Sequence, residues 1–268
     1  MYRPYVRMRR SGVPILSRGE INRIGEKAAY DFNPDLFNHP QPLDIDLFAQ
    51  EYLGAEQDFQ FLSNNGIYLG MTVFNDTNRV VIFDPHTRRA EYVHENAKTI
   101  IIDKQLLEDR NDHRYRFTMG HECGHLFFHS LYYRKLLERH INSPDITTEQ
   151  KPAMIQCRKD FDKEELHKSL RQWTEKDVME WQANAFASAV LMPYSSVLQV
   201  FEPSWEHYTD VNYAHTRAVW MTTTFNVSYE AAVLRLKGLG YIERSLLTGN
   251  NEEDSTKALI AWFQESEE

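Results

Sequence analysis

The stretch Phe117-Thr118-Met119-Gly120-His121-Glu122-Cys123-Gly124-His125-Leu126-Phe127-Phe128 decides how this chain is read. It has no proline and ends in an apolar run, so it is expected to be a helix. At its centre lies His-Glu-x-x-His. Residues four apart on a helix sit one turn above each other, roughly 6 Å apart in rise. Two imidazoles at that spacing can grip one metal ion. Glu122 lies between them in sequence, on the adjoining face, where it can reach a water on the metal without being a ligand. The chemistry needs this arrangement, because zinc brings the pKa of its water to about 7 and a nearby carboxylate can take the proton. The plain alternative is a helix with two surface histidines. The apolar set Phe117, Leu126, Phe127 and Phe128 argues against it, since buried histidines need partners and a metal is a good one.

Two histidines leave such a site short, because a catalytic zinc has three protein ligands plus water. The metzincin pattern needs glycine and histidine further on, where this chain has Phe128 and Leu131. His129 shares the helical face but lies roughly 12 Å of rise from His121, so it reads as packing or as support for a ligand.

The third ligand is sought downstream, in Thr174 to Pro193. Thr174 and Asp177 form a helix start, and Pro193 ends the pattern. Glu180, Ala183, Asn184 and Ala187 then share one face. The alanines let a second helix approach closely, as a shared metal requires, and Asn184 is placed to orient a ligand histidine. On the residues alone, Glu180 reads equally well as a solvated charge.

The stretches Arg116–Leu126 and Glu180–Ala187, with Leu191-Met192-Pro193, together resemble the ImmA/IrrE family of metallo-endopeptidases. The resemblance runs over roughly residues 15–245. It implies that His121, His125 and Glu180 bind Zn²⁺ and that Glu122 is the catalytic base. The family pattern often has a second carboxylate where this chain has Gln182, which favours Glu180 as the ligand. It also implies a protein substrate, a helix-turn-helix repressor whose cleavage relieves repression. The long stretch between the two motifs departs from the pattern and concerns the shape of the cleft. His129, Arg116 and Tyr194 are weak candidates for an oxyanion partner and stay outside the catalytic set.

Composition sets the bounds. The chain has 268 residues, 42% of them hydrophobic, enough for a sizeable core. No apolar run is long enough to span a membrane. The start, Met1 to Arg10, is basic but has no continuous apolar segment, so a signal peptide is not expected. Cys123 and Cys157 are the only cysteines. A disulfide framework is therefore not expected, and a cytoplasmic setting is. Cys157 reads as a loop or core cysteine in preference to a reactive thiol. The formal net charge of −9 argues against a chain built to hold phosphate backbones.

The fold expected is α+β: a mainly helical, zincin-like peptidase with a small antiparallel sheet and a C-terminal helix-turn-helix-like segment. The expected division is 1–200 for the peptidase domain, 201–249 for that segment and 250–268 for an acidic tail. Ser17-Arg18-Gly19-Glu20 is a capping box opening a helix with Ile21, Ile24 and Ala28 on one face, broken at Asn33-Pro34. A second helix is expected over Leu43–Tyr52, with Gly54 as its stop. Strands are expected at Ile67–Phe74, Arg79–Phe83 and Thr99–Asp103, the first two joined as a hairpin through Asn75–Asn78. An open strand edge over the metal could then hold an extended peptide. Residues 133–172 read as a polar, partly helical excursion.

The helix pair Asn212–Thr224 and Ser228–Lys237 resembles a helix-turn-helix, with Ser228 as N-cap and Gly238 as stop. Between residues 201 and 243, Glu202, Glu206, Asp210, Glu230 and Glu243 outnumber Arg217, Arg235 and Lys237. A DNA reader needs the opposite balance, so a packing or protein-recognition role is expected and nucleic acid is not. The alternative kept open is a DNA-binding transcriptional regulator with a structural metal.

Overall fold

The computed structural model describes residues 1–141, 153–158, 173–201 and 211–243. The architecture is mixed α+β. Helix α1 (Arg18–Phe32) starts at the expected capping box: Ser17 accepts from the Glu20 backbone, and the Glu20 side chain returns the bond. Its buried face carries Ile21, Ile24 and Ala28. The chain breaks at Asn33, which caps a short 3₁₀ turn at Pro34–Phe37. The helix expected over Leu43–Tyr52 is less regular. It is α-helical only at Ile45–Leu47 (α2) and widens to a π turn at Phe48–Tyr52. Gly54 then takes a positive φ of 67°.

The strands depart most from expectation. They are β1 (Glu56–Gln60), β2 (Tyr68–Val73), β3 (Thr77–Asp84), β4 (Arg89–Glu95), β5 (Thr99–Asp103) and β6 (Met154–Arg158). The expected hairpin between β2 and β3 does not form. β2 pairs with β5 and β6, while β3 pairs with β4 as a separate ribbon. The four-stranded sheet has the order β1-β5-β2-β6, and β1 runs parallel to β5, so the sheet is mixed and not purely antiparallel. β5 is buried along its whole length because both its faces are covered. Ile100 and Ile102 join the helical core, whereas Ile101 packs with Met71, Val73 and Val80 beneath the ribbon. β2 lies inside the sheet, between β5 and β6, so the edges of the sheet are β1 and β6.

Helix α3 (Asp112–Ile141) carries the His-Glu-x-x-His run and extends well beyond the stretch that announced it, into what read as a polar excursion. Most of that excursion, and the tail 250–268, lie outside the described residues. Helix α4 (Glu175–Leu191) starts at the expected Thr174–Asp177 capping box and is followed by α5 (Tyr194–Phe201). α4 lies against α3 at close range. A Cβ added to Gly124 would stand 2.9 Å from the Ala183 Cα, and one on Gly120 3.3 Å from the Ala187 Cβ. Only paired small residues allow backbones this near.

Helices α6 (Val211–Phe225) and α7 (Tyr229–Leu239) follow. Ser228 caps α7 through the Ala231 N–H. The stop is Gly240 with φ +80°, two residues beyond the expected Gly238, which remains helical. Ala214, Ala218, Met221, Phe225, Ala231, Ala232 and Leu236 belong to the same core cluster as residues of α1, α3 and α4. Among the described residues no helix is long and apolar enough to cross a membrane.

Candidate metal centre

His121, Glu122, His125 and His129 all point inward from α3 and are essentially buried. α4 brings Glu180, Gln182 and Asn184 to the same place, also buried. The Nε2 atoms of His121 and His125 are 2.9 Å apart. One Glu180 oxygen lies 3.2 Å from the first and 3.7 Å from the second. The three residues expected to converge are thus brought together, each offering one donor atom within 4.8 Å of the others.

The outer hydrogen bonds decide which ring nitrogen faces the centre. The Asn184 amide oxygen accepts from His121 Nδ1 at 2.8 Å. Gln182 donates its amide N–H to the Pro14 carbonyl, which turns the Gln182 oxygen toward His129 Nε2 at 3.0 Å. His129 therefore carries its proton on Nε2, and its Nδ1 accepts from His125 Nδ1 at 3.0 Å. Each proton relay ends with an Nε2 lone pair aimed at the centre. Asn184 does what its position predicted. Gln182 and Pro14 were missed, because a glutamine on a helix and a proline in an N-terminal segment carry no spacing signal that links them.

Glu122 is held from the sheet. Thr72 on β2 donates its hydroxyl to one Glu122 oxygen at 2.6 Å, and the other oxygen is buried with no hydrogen-bond partner. Gly70 clears the space: a Cβ there would sit 2.6 Å from that second oxygen. Neither residue was singled out in the sequence, since a threonine and a glycine in a strand are ordinary.

The electrostatics follow from burial and contact. Burial lifts the Glu122 carboxyl to about 7, with His121 and Thr72 pulling the other way. Burial drives His125 down to about 4 and His129 well below its ordinary value. Burial also works against a charged Glu180, but His125 and His121 hold it below the usual carboxylate range. Burial opposes a charge on His121 too, yet Cys157 and Glu180 beside it raise it well above the ordinary histidine value. The cluster thus favours positive charge at the meeting point of the two Nε2 atoms. A proton supplies one unit, and a divalent cation supplies two. With two imidazole nitrogens, a carboxylate and orphaned oxygens on Glu122 and Glu180, the donor set fits a tetrahedral cation.

The weak oxyanion candidates are engaged elsewhere. Arg116 donates to the Asn226 and Leu43 carbonyls, and His129 is bonded on both nitrogens. Tyr194 is 36% exposed and interacts with Tyr241. Cys157, read as a loop or core cysteine, is buried on β6 and shares a second donor group with His121 and Glu122.

Residues 163–237 match the family model of the IrrE N-terminal-like domain, Peptidase_M78, in agreement with the resemblance drawn from the motifs. The matched stretch takes in Glu180, Gln182 and Asn184 and ends in α7, while His121–His125 precede it. Among curated proteins, none matches the chain. The family match supports a metallopeptidase-type function.

Proposed function

We propose that this chain is a zinc-dependent endopeptidase that hydrolyses a peptide bond in a protein substrate. The packing of α3 against the sheet, with Glu180 brought to His121 and His125 by α4, supports this reading. His121 and His125 through Nε2, and Glu180 through one carboxylate oxygen, would hold Zn²⁺. Bound there, the cation supplies Lewis acidity that acidifies water and polarises a carbonyl. The remaining work belongs to the chain. The Glu122 oxygen free of Thr72 takes a proton from the attacking water, and the same oxygen gives it to the departing amine. Burial raises the Glu122 carboxyl above the usual carboxylate range, which makes it a better proton acceptor than an exposed glutamate. Thr72 and Gly70 keep that oxygen in place.

The carrying observation is the pair of proton relays, through Asn184 and through His129–Gln182–Pro14, which turn both Nε2 lone pairs toward the Glu180 oxygen. A helix with two packing histidines has no need of them. The substrate proposed from the resemblance is a helix-turn-helix repressor, and the setting is the cytoplasm. The DNA-binding alternative is disfavoured. Of the three cations counted near the C-terminal helix pair, Arg235 and Lys237 are buried, where they cannot neutralise phosphates.

The test is zinc analysis and proteolysis in parallel. The unaltered protein should hold one zinc per chain and cleave a helix-turn-helix repressor supplied as substrate. Glu122→Gln should keep the zinc and lose cleavage, whereas His125→Ala should lose both. Full cleavage by Glu122→Gln would sink the proposal.

A further inference from the structure

Arg235 on α7 is a buried cation with an unfinished set of bonds. It is 5% exposed. Its Nε donates to the Met192 carbonyl at 3.0 Å, and its Nη1 donates to the Asn22 side-chain oxygen at 2.7 Å. Both acceptors are neutral. Its Nη2 is buried and has no hydrogen-bond partner. Among the described residues no carboxylate lies within ion-pair distance of it. A guanidinium keeps its charge at neutral pH, and a buried charge without a counter-charge is costly.

A second cation stands opposite. A Cβ added to Gly238, one turn on from Arg235, would lie 3.6 Å from the Arg18 guanidinium carbon. Arg18, at the start of α1, therefore leans over this face of α7. The two arginines, with Asn22 and Ser188, line a cavity between α1, α4 and α7. Its volume is about 10 Å³. That is room for a single water-sized particle, and too little for phosphate or sulfate. Burial and the Arg18 charge together lower Arg235 to about 9, and the opposing pull of Glu26 is smaller. Glu26 is also engaged elsewhere, since one of its oxygens accepts from the Ser195 backbone at 3.0 Å.

We propose that this cavity binds a monatomic anion, chloride or bromide, between Arg18 and Arg235. The site is separate from the metal centre and does not depend on it. A water could accept from Arg235 Nη2, but it is neutral and leaves two like charges facing each other in a poorly screened space. An anion accepts that bond and offsets the repulsion at once. Arg18 is only partly buried, so its flexible side chain can settle around an ion somewhat wider than water. The bound anion fastens α7 to α1 and to α4, the helix that carries Glu180.

The experiment uses the full-length protein purified without halide. Sodium bromide is exchanged for sodium gluconate, whose anion is too bulky for the cavity, at constant ionic strength. The melting temperature should rise with the logarithm of bromide concentration, by about 3 °C at ten times the dissociation constant. Arg18→Gln, which removes the more exposed of the two cations, should lose that dependence. A crystal grown in bromide should show an anomalous peak beside Arg235 Nη2. A melting temperature indifferent to bromide, a dependence that survives in Arg18→Gln, or a crystal in which a water or a carboxylate of the chain fills the cavity would each overturn the proposal. Halide bound at a metal ion would give a dependence that Arg18→Gln keeps, and so counts against the site. The bromide peak in the unaltered protein decides the matter even if Arg18→Gln does not fold.

Discussion

The pair α3–α4 and the pair α6–α7 are both helices packed through small residues, yet they bury opposite things. Between α3 and α4 lie three histidines, two glutamates, a glutamine and an asparagine, all buried. Between α6 and α7 lie alanines, Met221, Phe225 and Leu236. The polar interior is sustainable only because the great majority of its donors and acceptors are paired. The apolar one needs only to exclude water. One of the two cations buried on α7 has a structural use: Arg235 donates to the Met192 carbonyl and to the Asn22 side chain, tying α7 to the end of α4 and to α1. Similar helix-on-helix geometry thus gathers a candidate metal site in one place and an apolar core in the other.

Four substitutions sharpen this contrast. Gly124→Ala carries the largest expected effect. Its Cβ would meet the Ala183 backbone at 2.9 and 3.0 Å, where nothing flexible can yield. It should cost about 1–3 kcal/mol in denaturant unfolding and abolish stoichiometric cation binding. Gly70→Ala comes next. It pushes on a buried Glu122 oxygen without parting the helices, so peptidase activity should fall about 100-fold while the cation stays bound. Asn184→Ala removes the acceptor that orients His121, and cation affinity measured against a competing chelator should weaken about 10- to 100-fold. A full loss of folding in this variant would show that the asparagine is needed for packing instead. Gly238→Ala has the smallest effect and the opposite sign. The site is exposed and helical, and the nearest atom to the new Cβ is the Arg18 guanidinium carbon at 3.6 Å. It should stabilise by up to about 1 kcal/mol. Destabilisation there would show that Gly238 and not Gly240 ends the helix.

Capping was legible because it is local. Ser17 with Glu20, Thr174 with Asp177, and Ser228 all open helices as read, since each bond joins residues three apart. Strand β5 was legible from its β-branched run. Pairing was not. Tyr68–Val73 and Thr77–Asp84 look like a hairpin because they are neighbours with a polar link, but burial decides otherwise. β2 is apolar enough to be covered on both faces, whereas β3 is only partly buried and pairs with β4. The placement of β6 was beyond reach for the same reason, since its partner lies about eighty residues upstream.

The amino-acid order alone settled which groups could do chemistry: two histidines one helical turn apart, a glutamate between them, and a carboxylate on an alanine-faced helix. Helical periodicity is a local property and survives without knowledge of the fold. Only the tertiary structure decided what surrounds them. It made Gln182 and Pro14 the end of a proton relay, Thr72 and Gly70 the seat of Glu122, and Cys157 a neighbour of His121. Each of these joins residues far apart in the chain, and such contacts are set by which surfaces must leave water together rather than by any spacing in the sequence.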